Sequence, residues 1–437
     1  MHYRSSNFSI LFEHKQNTYI YNTHSGAIAN ISGNNIHSAF NTIEDLSVDI
    51  SSEPYKSLVL GGFIVPFDTD ELSEIRCDMC KNKFKASHID FSICLSYECN
   101  LSCSYCFEKN WVKITSSTDI DSRLLAYLQG QVREKETKRV SINWSGGEPM
   151  LFLDRISKTN SKLSIFCKEH SVKYRSTITT NLTLCSPEIC DNLRKAAINT
   201  LQVTLDGHRS IHDKYRISHL YPATYDLILE NISMLCEYVP SLTIVLRINV
   251  SRENFPTLPL LIKDLAKLNL KNRIRIAFAR LRSHDSKCFS VEEYAHHEIV
   301  LYRSFIDEGW SFNFKRKLTP RYEGCAAYTK RSYAICPDLS VLKCWELASS
   351  NKHKIGRIEE KGKMILNGKE STALALDPLD NQDCRDCIHL PLCMGGCAVD
   401  RSTSTSSDNC DMRLGINCNP IKYNLIDIIK AYIDTDK

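Results

Sequence analysis

The sequence predicts an α/β protein: a partial (β/α)6 barrel between a small N-terminal α+β domain and a cysteine-rich C-terminal domain. Three observations predict it. From about residue 91 to 310, apolar strand-like runs alternate with amphipathic helical stretches, and repeated strand–helix units imply a parallel sheet. About six such units are visible, too few for a closed eightfold barrel. Beyond residue 320 the apolar periodicity weakens and cysteines crowd together.

The barrel strands are expected at Phe91–Leu95, Val140–Trp144, Arg175–Thr180, Ala197–Leu205, Leu242–Val250 and Arg273–Leu281. Helices fit between them at Arg123–Glu136, Ser186–Ala196, Ala223–Cys236 and Leu258–Leu268. Ahead of the barrel, Phe8–Phe12, Thr18–Tyr21 and Leu58–Pro66 read as strands, with a turn-rich stretch at Ser25–Asn35 and a helix-like stretch after it. A last apolar helix is expected at Tyr423–Tyr432. The domains divide as 1–90, 91–310 and 311–437.

Composition narrows the function. The chain has 437 residues, 43% apolar and 24% charged, with a net charge of +4. That is ordinary for a globular protein, and no basic tract points to nucleic acid. The polar start, Met1 to Lys15, lacks a secretory signal, and Leu242–Val250 is too short and charged to span a bilayer. The expectation is a cytoplasmic protein without a membrane segment. In a reducing compartment, 20 cysteines at tight spacings speak for metal or redox chemistry rather than a disulfide scaffold.

The sharpest motif is Cys99-Asn100-Leu101-Ser102-Cys103-Ser104-Tyr105-Cys106, directly after the first barrel strand. Three thiolates on one loop suit three irons of a [4Fe–4S] cube and leave the fourth iron open to bind a ligand. A four-ligand zinc site needs another group. Cys94 is the obvious candidate, and its place inside a strand reads as a buried structural thiol. Ser145-Gly146-Gly147-Glu148-Pro149 follows the second strand, where two glycines let the backbone approach a ligand closely. Thr179-Thr180-Asn181 ends the third strand. Thr204-Leu205-Asp206-Gly207 ends the fourth, followed by Ile211-His212-Asp213-Lys214-Tyr215-Arg216.

Together these segments resemble the radical S-adenosylmethionine (SAM) superfamily, in its peptide- and protein-modifying branch. The resemblance implies that Cys99, Cys103 and Cys106 bind a [4Fe–4S] cluster. The open iron would be chelated by the methionyl group of SAM, and one electron would release a 5′-deoxyadenosyl radical. It also implies SAM contacts from Tyr105, Gly146, Gly147, Glu148, Thr204 and Arg216, with Leu281 packed on the adenine. Read without it, Thr204 and Asp206 are strand-end turn chemistry and Arg216 is a surface charge.

The second pattern is Cys384-x-x-Cys387-x5-Cys393-x3-Cys397, with Cys325, Cys336 and Cys344 upstream and Cys410 and Cys418 downstream. Spacing alone fits two zinc sites as well as two iron–sulfur clusters. Beside the first motif, the array resembles the SPASM extension with two auxiliary [4Fe–4S] clusters. On that resemblance Cys325, Cys344, Cys397 and Cys336 hold the first. Cys384, Cys387, Cys393 and Cys418 hold the second, with Cys410 as the alternative to Cys418. Two departures stand out. Leu339 occupies the place of the family's usual glycine before Cys344. Trp345 occupies that of the aspartate base of sulfatase-maturing relatives. Cys77, Cys80, Cys94, Cys167, Cys185, Cys190, Cys236 and Cys288 need no such role, and most read as buried thiols. Cys77-Asp78-Met79-Cys80 has metal binding as its alternative.

Residues 1–90 loosely resemble the leader-binding domain of enzymes that process ribosomal peptides, where a sheet edge captures an extended chain by strand addition. The implied function is a radical SAM/SPASM maturase. It would install an oxidative cross-link (carbon–carbon, ether or thioether) in a ribosomally made precursor peptide, with a flavodoxin- or ferredoxin-type protein as electron donor. The alternatives are formylglycine formation of the sulfatase-maturase kind, with Glu346 or Asp338 as base, and a non-catalytic metal-binding peptide scaffold.

Overall fold

The computed structural model describes residues 2–32, 46–47, 53–109, 111–282, 287–398 and 418–435. They form two compact units that do not follow chain order. One comprises Met1–Phe84, Asn313–Cys325 and Leu376–Lys437; the other comprises Lys85–Phe312 and Ala326–Ala375.

In the first unit, short strands fold into two antiparallel three-stranded sheets. Strands β1 (His2–Ser5), β5 (Leu46–Ser47) and β6 (Ile64–Pro66) run in the order β5-β1-β6, and β2 (Ser9–His14), β3 (Asn17–Asn22) and β4 (Ile28–Asn30) in the order β2-β3-β4. Leu58–Pro66 is only partly the strand expected. Tyr55–Leu60 is helical, and Gly62, at φ +71°, turns the chain before Ile64. A contiguous apolar run carries no period to separate helix from strand. The cysteine-rich end has little apolar surface of its own and shares a core with the N-terminal block: Phe8, Ile75 and Met79 pack with Leu379, Leu390 and Met394.

The helix Glu71–Lys83 is capped by Asp70, whose carboxylate accepts from the Ser73 N–H. Glu71 is 2% exposed and accepts hydrogen bonds from Arg4 at 2.8 Å, from the Asn7 N–H at 3.0 Å and from the Ser6 hydroxyl. Glu71→Ala strands all three donors and is expected to cost about 3 kcal/mol, read as a shift of the denaturant midpoint.

The second unit holds the six expected barrel strands, all parallel: β7 (His88–Cys94), β9 (Arg139–Ser145), β10 (Lys173–Thr180), β11 (Thr200–Leu205), β13 (Thr243–Val250) and β14 (Ile274–Arg280). Their order is β14-β13-β11-β10-β9-β7. Helices cross between them, among them Asp119–Arg133, Leu153–Glu169, Pro187–Lys195, Tyr225–Tyr238 and Leu258–Lys267. Alternation drives the burial: along β9, Val140, Ile142 and Trp144 are buried while their neighbours are not. Ser186 caps one crossover helix ahead of Pro187, and a Ser290/Glu293 capping box starts the helix after β14.

Residues 326–375, although apolar periodicity weakens there, belong to the barrel unit. Strands β15 (Ser332–Ile335), β16 (Ser340–Leu342), β17 (Gly356–Ile358) and β18 (Met364–Leu366) extend the barrel sheet beyond β7, and β15 is parallel to it. β15 and β16 are buried on both faces, so they read as short runs without a period, whereas β17 and β18 at the sheet edge are largely exposed. Leu339, in the β15–β16 turn, takes φ +62°, the conformation glycine tolerates best. It is 1% exposed in the unit's main core, and that burial offsets the backbone strain. The helix Ile421–Thr435 ends the described chain. Among the described residues no helix is long and apolar enough to cross a membrane.

Candidate active site

The six parallel strands present their carboxyl ends together, and the sequence-predicted residues of the barrel lie on the loops that follow. Strand β7 ends at Cys94, which is buried and donates to the Ser96 carbonyl at 3.0 Å. It is a structural thiol. The loop then forms β8 (Leu101–Cys103), which pairs antiparallel with β12 (Arg216–Ser218), setting Arg216 opposite Cys103. The Ser104 N–H donates to the Tyr215 carbonyl at 2.9 Å. One ribbon thus joins the cysteine loop to the arginine, with Cys103 and Arg216 as a register pair.

Burial pushes the Cys99 thiol up to about 12, and raises those of Cys103 and Cys106 as well, with the Arg216 guanidinium pulling all three the other way. The Leu101 N–H approaches the Cys99 sulfur at 3.4 Å and the Asn181 amide at 3.9 Å. Among the described residues, no three Cys, His, Asp or Glu side chains converge as the ligands of a single ion do. The thiols of a cubane are held further apart, because irons and sulfides lie between them.

The Gly146-Gly147-Glu148 turn packs against the start of this loop. A Cβ on Gly147 would lie 2.0 Å from the Glu98 carbonyl oxygen, and one on Gly146, at φ +115°, would lie 2.2 Å from the Cys94 sulfur. The Gly147 and Glu148 N–H groups donate to the carbonyls of Ser96 and Glu98 at 3.1 and 2.8 Å. Glu148 is buried. Its carboxylate accepts from the N–H groups of Met150 and Asn181 at 2.9 and 2.7 Å and from the Thr180 hydroxyl at 2.7 Å. Burial raises its carboxyl, with the three donors working against that rise. The side chain therefore fastens the turn to the end of β10.

Tyr105 donates to Asp206, and Arg216 Nη1 donates to the Tyr105 oxygen at 2.9 Å and to Asp206 Oδ2 at 3.3 Å. Asn249 Nδ2 donates to Asp206 Oδ1 at 2.9 Å. The Asp206 N–H meets His212 Nδ1 at 3.2 Å, and His212 Nε2 lies 3.1 Å from the Thr224 hydroxyl. Burial holds the His212 imidazole far below its usual range. It is neutral, and accepting at Nδ1 puts its proton on Nε2. Asn249 carried no sequence signal beyond its place at the end of a strand. Thr204 and Leu281 are each 8% exposed, Thr204 near the end of β11 and Leu281 just past β14.

The donor set fits a SAM-bound cluster. Three thiols share one loop, and Arg216, 7% exposed, keeps its Nε buried with no partner among the described residues, where an anionic group would satisfy it.

In the first unit, Cys418 lies close enough to Cys387 and Cys393 to raise both thiols, after the larger effect of burial. Lys422 approaches the Cys418 sulfur at 3.9 Å. Cys410 lies outside the described residues. Cys325, Cys384 and Cys397 also belong to this unit, whereas Cys336 and Cys344 belong to the barrel unit. Cys336 is buried among Ala334, Leu342 and Ala348 and accepts the Tyr97 hydroxyl. Of the cysteines without an assigned role, Cys94, Cys167, Cys190 and Cys236 are buried as expected. Cys77 and Cys80 are exposed, because a polar surface helix presents them.

The bases considered for a sulfatase-maturase reading are engaged. Asp338 accepts from the Ser340 N–H at 3.0 Å and from Lys354 at 2.9 Å, and Glu346 pairs with Arg282 at 3.0 Å. Trp345 donates to the buried Glu108 at 2.7 Å.

Residues 93–261 match the model of the Radical SAM superfamily. A cysteine-type anaerobic sulfatase-maturating enzyme of Clostridium novyi (strain NT) is 23% identical over 339 residues, 69% of this chain and 85% of that protein. Two solved structures share the fold. Native anSMEcpe with bound AdoMet and Cp18Cys peptide superposes with a TM-score of 0.58 at 16% identity, over 79% of this chain and 99% of that one. Streptococcus suis SuiB bound to S-adenosylmethionine gives 0.54 at 16%, over 92% and 97%. SuiB is also known bound to the precursor peptide SuiA.

Proposed function

The chain is a radical SAM enzyme, and on that premise we propose that it matures a ribosomally made precursor peptide by closing an oxidative cross-link within it, carbon–carbon or ether, with thioether as a further variant. One observation carries the reading: the three-thiol loop is register-locked, through β8 and β12, to a buried arginine with an unsatisfied N–H. When bound there, a reduced [4Fe–4S] cluster with SAM supplies a 5′-deoxyadenosyl radical for hydrogen abstraction.

The residues of the chain supply the rest. Cys99, Cys103 and Cys106 would hold three irons, and Arg216 would receive the carboxylate of SAM. Gly146, Gly147 and Glu148 keep the loop in place, while Thr204 and Leu281 line the nucleoside side. Two auxiliary clusters, when bound, would supply an acceptor for the one electron left after ring closure. The proximity of Cys418 to Cys387 and Cys393 favours Cys384, Cys387, Cys393 and Cys418 as the ligands of one of them. A cross-link is preferred over formylglycine because Trp345 stands where an aspartate base would, and Asp338 and Glu346 are already paired. Strand addition at the β4 or β6 edge would hold the leader, and a flavodoxin- or ferredoxin-type protein would deliver electrons.

The test is anaerobic reconstitution, reduction with dithionite in the presence of SAM, and intact-mass analysis of a short peptide encoded beside the gene. The expected result is 5′-deoxyadenosine together with loss of two hydrogens per ring. An aldehyde at one residue would favour the sulfatase-maturase chemistry. Protein that keeps its iron and yet releases no 5′-deoxyadenosine would be a scaffold.

A further inference from the structure

Arg216 is held on one edge of its guanidinium and free on the other. Nη1 is taken by Tyr105 at 2.9 Å and Asp206 at 3.3 Å, while Nε is buried with no partner among the described residues. Asp206 is itself 0% exposed, at the end of β11. Its Oδ1 receives Asn249 from β13 at 2.9 Å, its Oδ2 receives Tyr105 from the cysteine loop, and its backbone N–H is fixed by His212. Three chain segments, the cysteine loop, β12 and β13, therefore converge on one carboxylate that is closed to solvent. Such a carboxylate sets the direction of a planar, five-donor cation, because a guanidinium filled along one edge has only fixed directions left for its other N–H groups.

We propose that Asp206, steadied by Asn249 and Tyr105, is a positioning residue that aims the Arg216 Nε–H at the methionyl carboxylate of SAM. The proposal rests on the reading of this site as a SAM site. Asp206 acts only through Arg216 and makes no contact with the cofactor. Removing its charge leaves the guanidinium in place but free to swing, so recognition of a carboxylate weakens while recognition of the nucleoside does not.

The experiment measures equilibrium binding of two unreactive ligands to the reconstituted holoenzyme. S-adenosylhomocysteine keeps the amino-acid end, and 5′-methylthioadenosine lacks it. Asp206→Asn is expected to weaken S-adenosylhomocysteine about tenfold, the scale of one charge-assisted hydrogen bond, and to leave 5′-methylthioadenosine unchanged. Asn249→Ala should give the same pattern at about threefold, and it carries the test if Asp206→Asn does not retain iron. Equal losses for both ligands would reduce the network to general support of the fold and overturn the proposal, as would no loss for either. Wild-type enzyme that fails to prefer S-adenosylhomocysteine would instead overturn the SAM reading itself, and the proposal with it.

Discussion

Alanine at any one of Cys99, Cys103 or Cys106 is expected to reduce formation of 5′-deoxyadenosine from SAM to background and to remove about four irons per chain. The three thiols come from one loop, and that loop is fixed at both ends: to the Gly146–Glu148 turn through the carbonyls of Ser96 and Glu98, and to β12 through the register of Cys103 with Arg216. Cys94, the cysteine that precedes the loop in sequence, is a poor substitute for a missing thiol, because it is buried at the end of β7 and bonded to Ser96. Burial raises all three thiols, Cys99 to about 12, so at neutral pH iron must displace their protons. The sign follows: lower pH favours the protonated thiol and release of metal, higher pH favours loading. Reconstitution should therefore fill the site more completely at about pH 8 than at about pH 6. Unchanged turnover in the triple alanine variant would refute the assignment.

Gly147→Ala is the substitution expected to damage the fold most for its size. Its Cβ would meet the Glu98 carbonyl oxygen at 2.0 Å, the Glu98 carbonyl carbon at 2.5 Å and the Tyr97 carbonyl carbon at 2.7 Å. All three are backbone atoms, so no rotamer change relieves the clash. The turn and the cysteine loop must separate, which breaks the hydrogen bonds from Gly147 and Glu148. A loss of about 3 kcal/mol or more is expected, together with loss of iron. Gly130 supplies the contrast. It lies inside the helix Asp119–Arg133, and a Cβ there would meet nothing within 4 Å. Gly130→Ala should stabilise by about 1 kcal/mol. Denaturant midpoints of the two variants, moving in opposite directions, check both expectations.

Much of the barrel was legible because its strands and crossover helices carry strong periods. Phe91–Leu95, Val140–Trp144 and Leu242–Val250 all fall inside observed strands or within a residue of their ends. The cysteine loop and the Gly-Gly-Glu turn were legible because metal ligation and close backbone approach each restrict residue type at fixed spacing. The rest depended on contacts between distant segments. Asn249 looks like any polar strand-end residue, and only the fold brings it to Asp206. Strands β15 to β18 are three or four residues long, too short for alternation to register. Leu339 reads as a lost glycine until its buried side chain explains why leucine is kept at a left-handed position.

The discontinuous first unit has a consequence for biogenesis. Residues 1–84 complete their fold only with 313–325 and 376–437, yet they leave the ribosome first. Synthesis at about 5–20 residues per second leaves the apolar faces of Phe8, Ile75 and Met79 without Leu379, Leu390 and Met394 until that later segment has been made. Residues 1–84 therefore need shelter while residues 85–312 fold, and Cys384, Cys387, Cys393 and Cys397 arrive together with the segment that closes that unit.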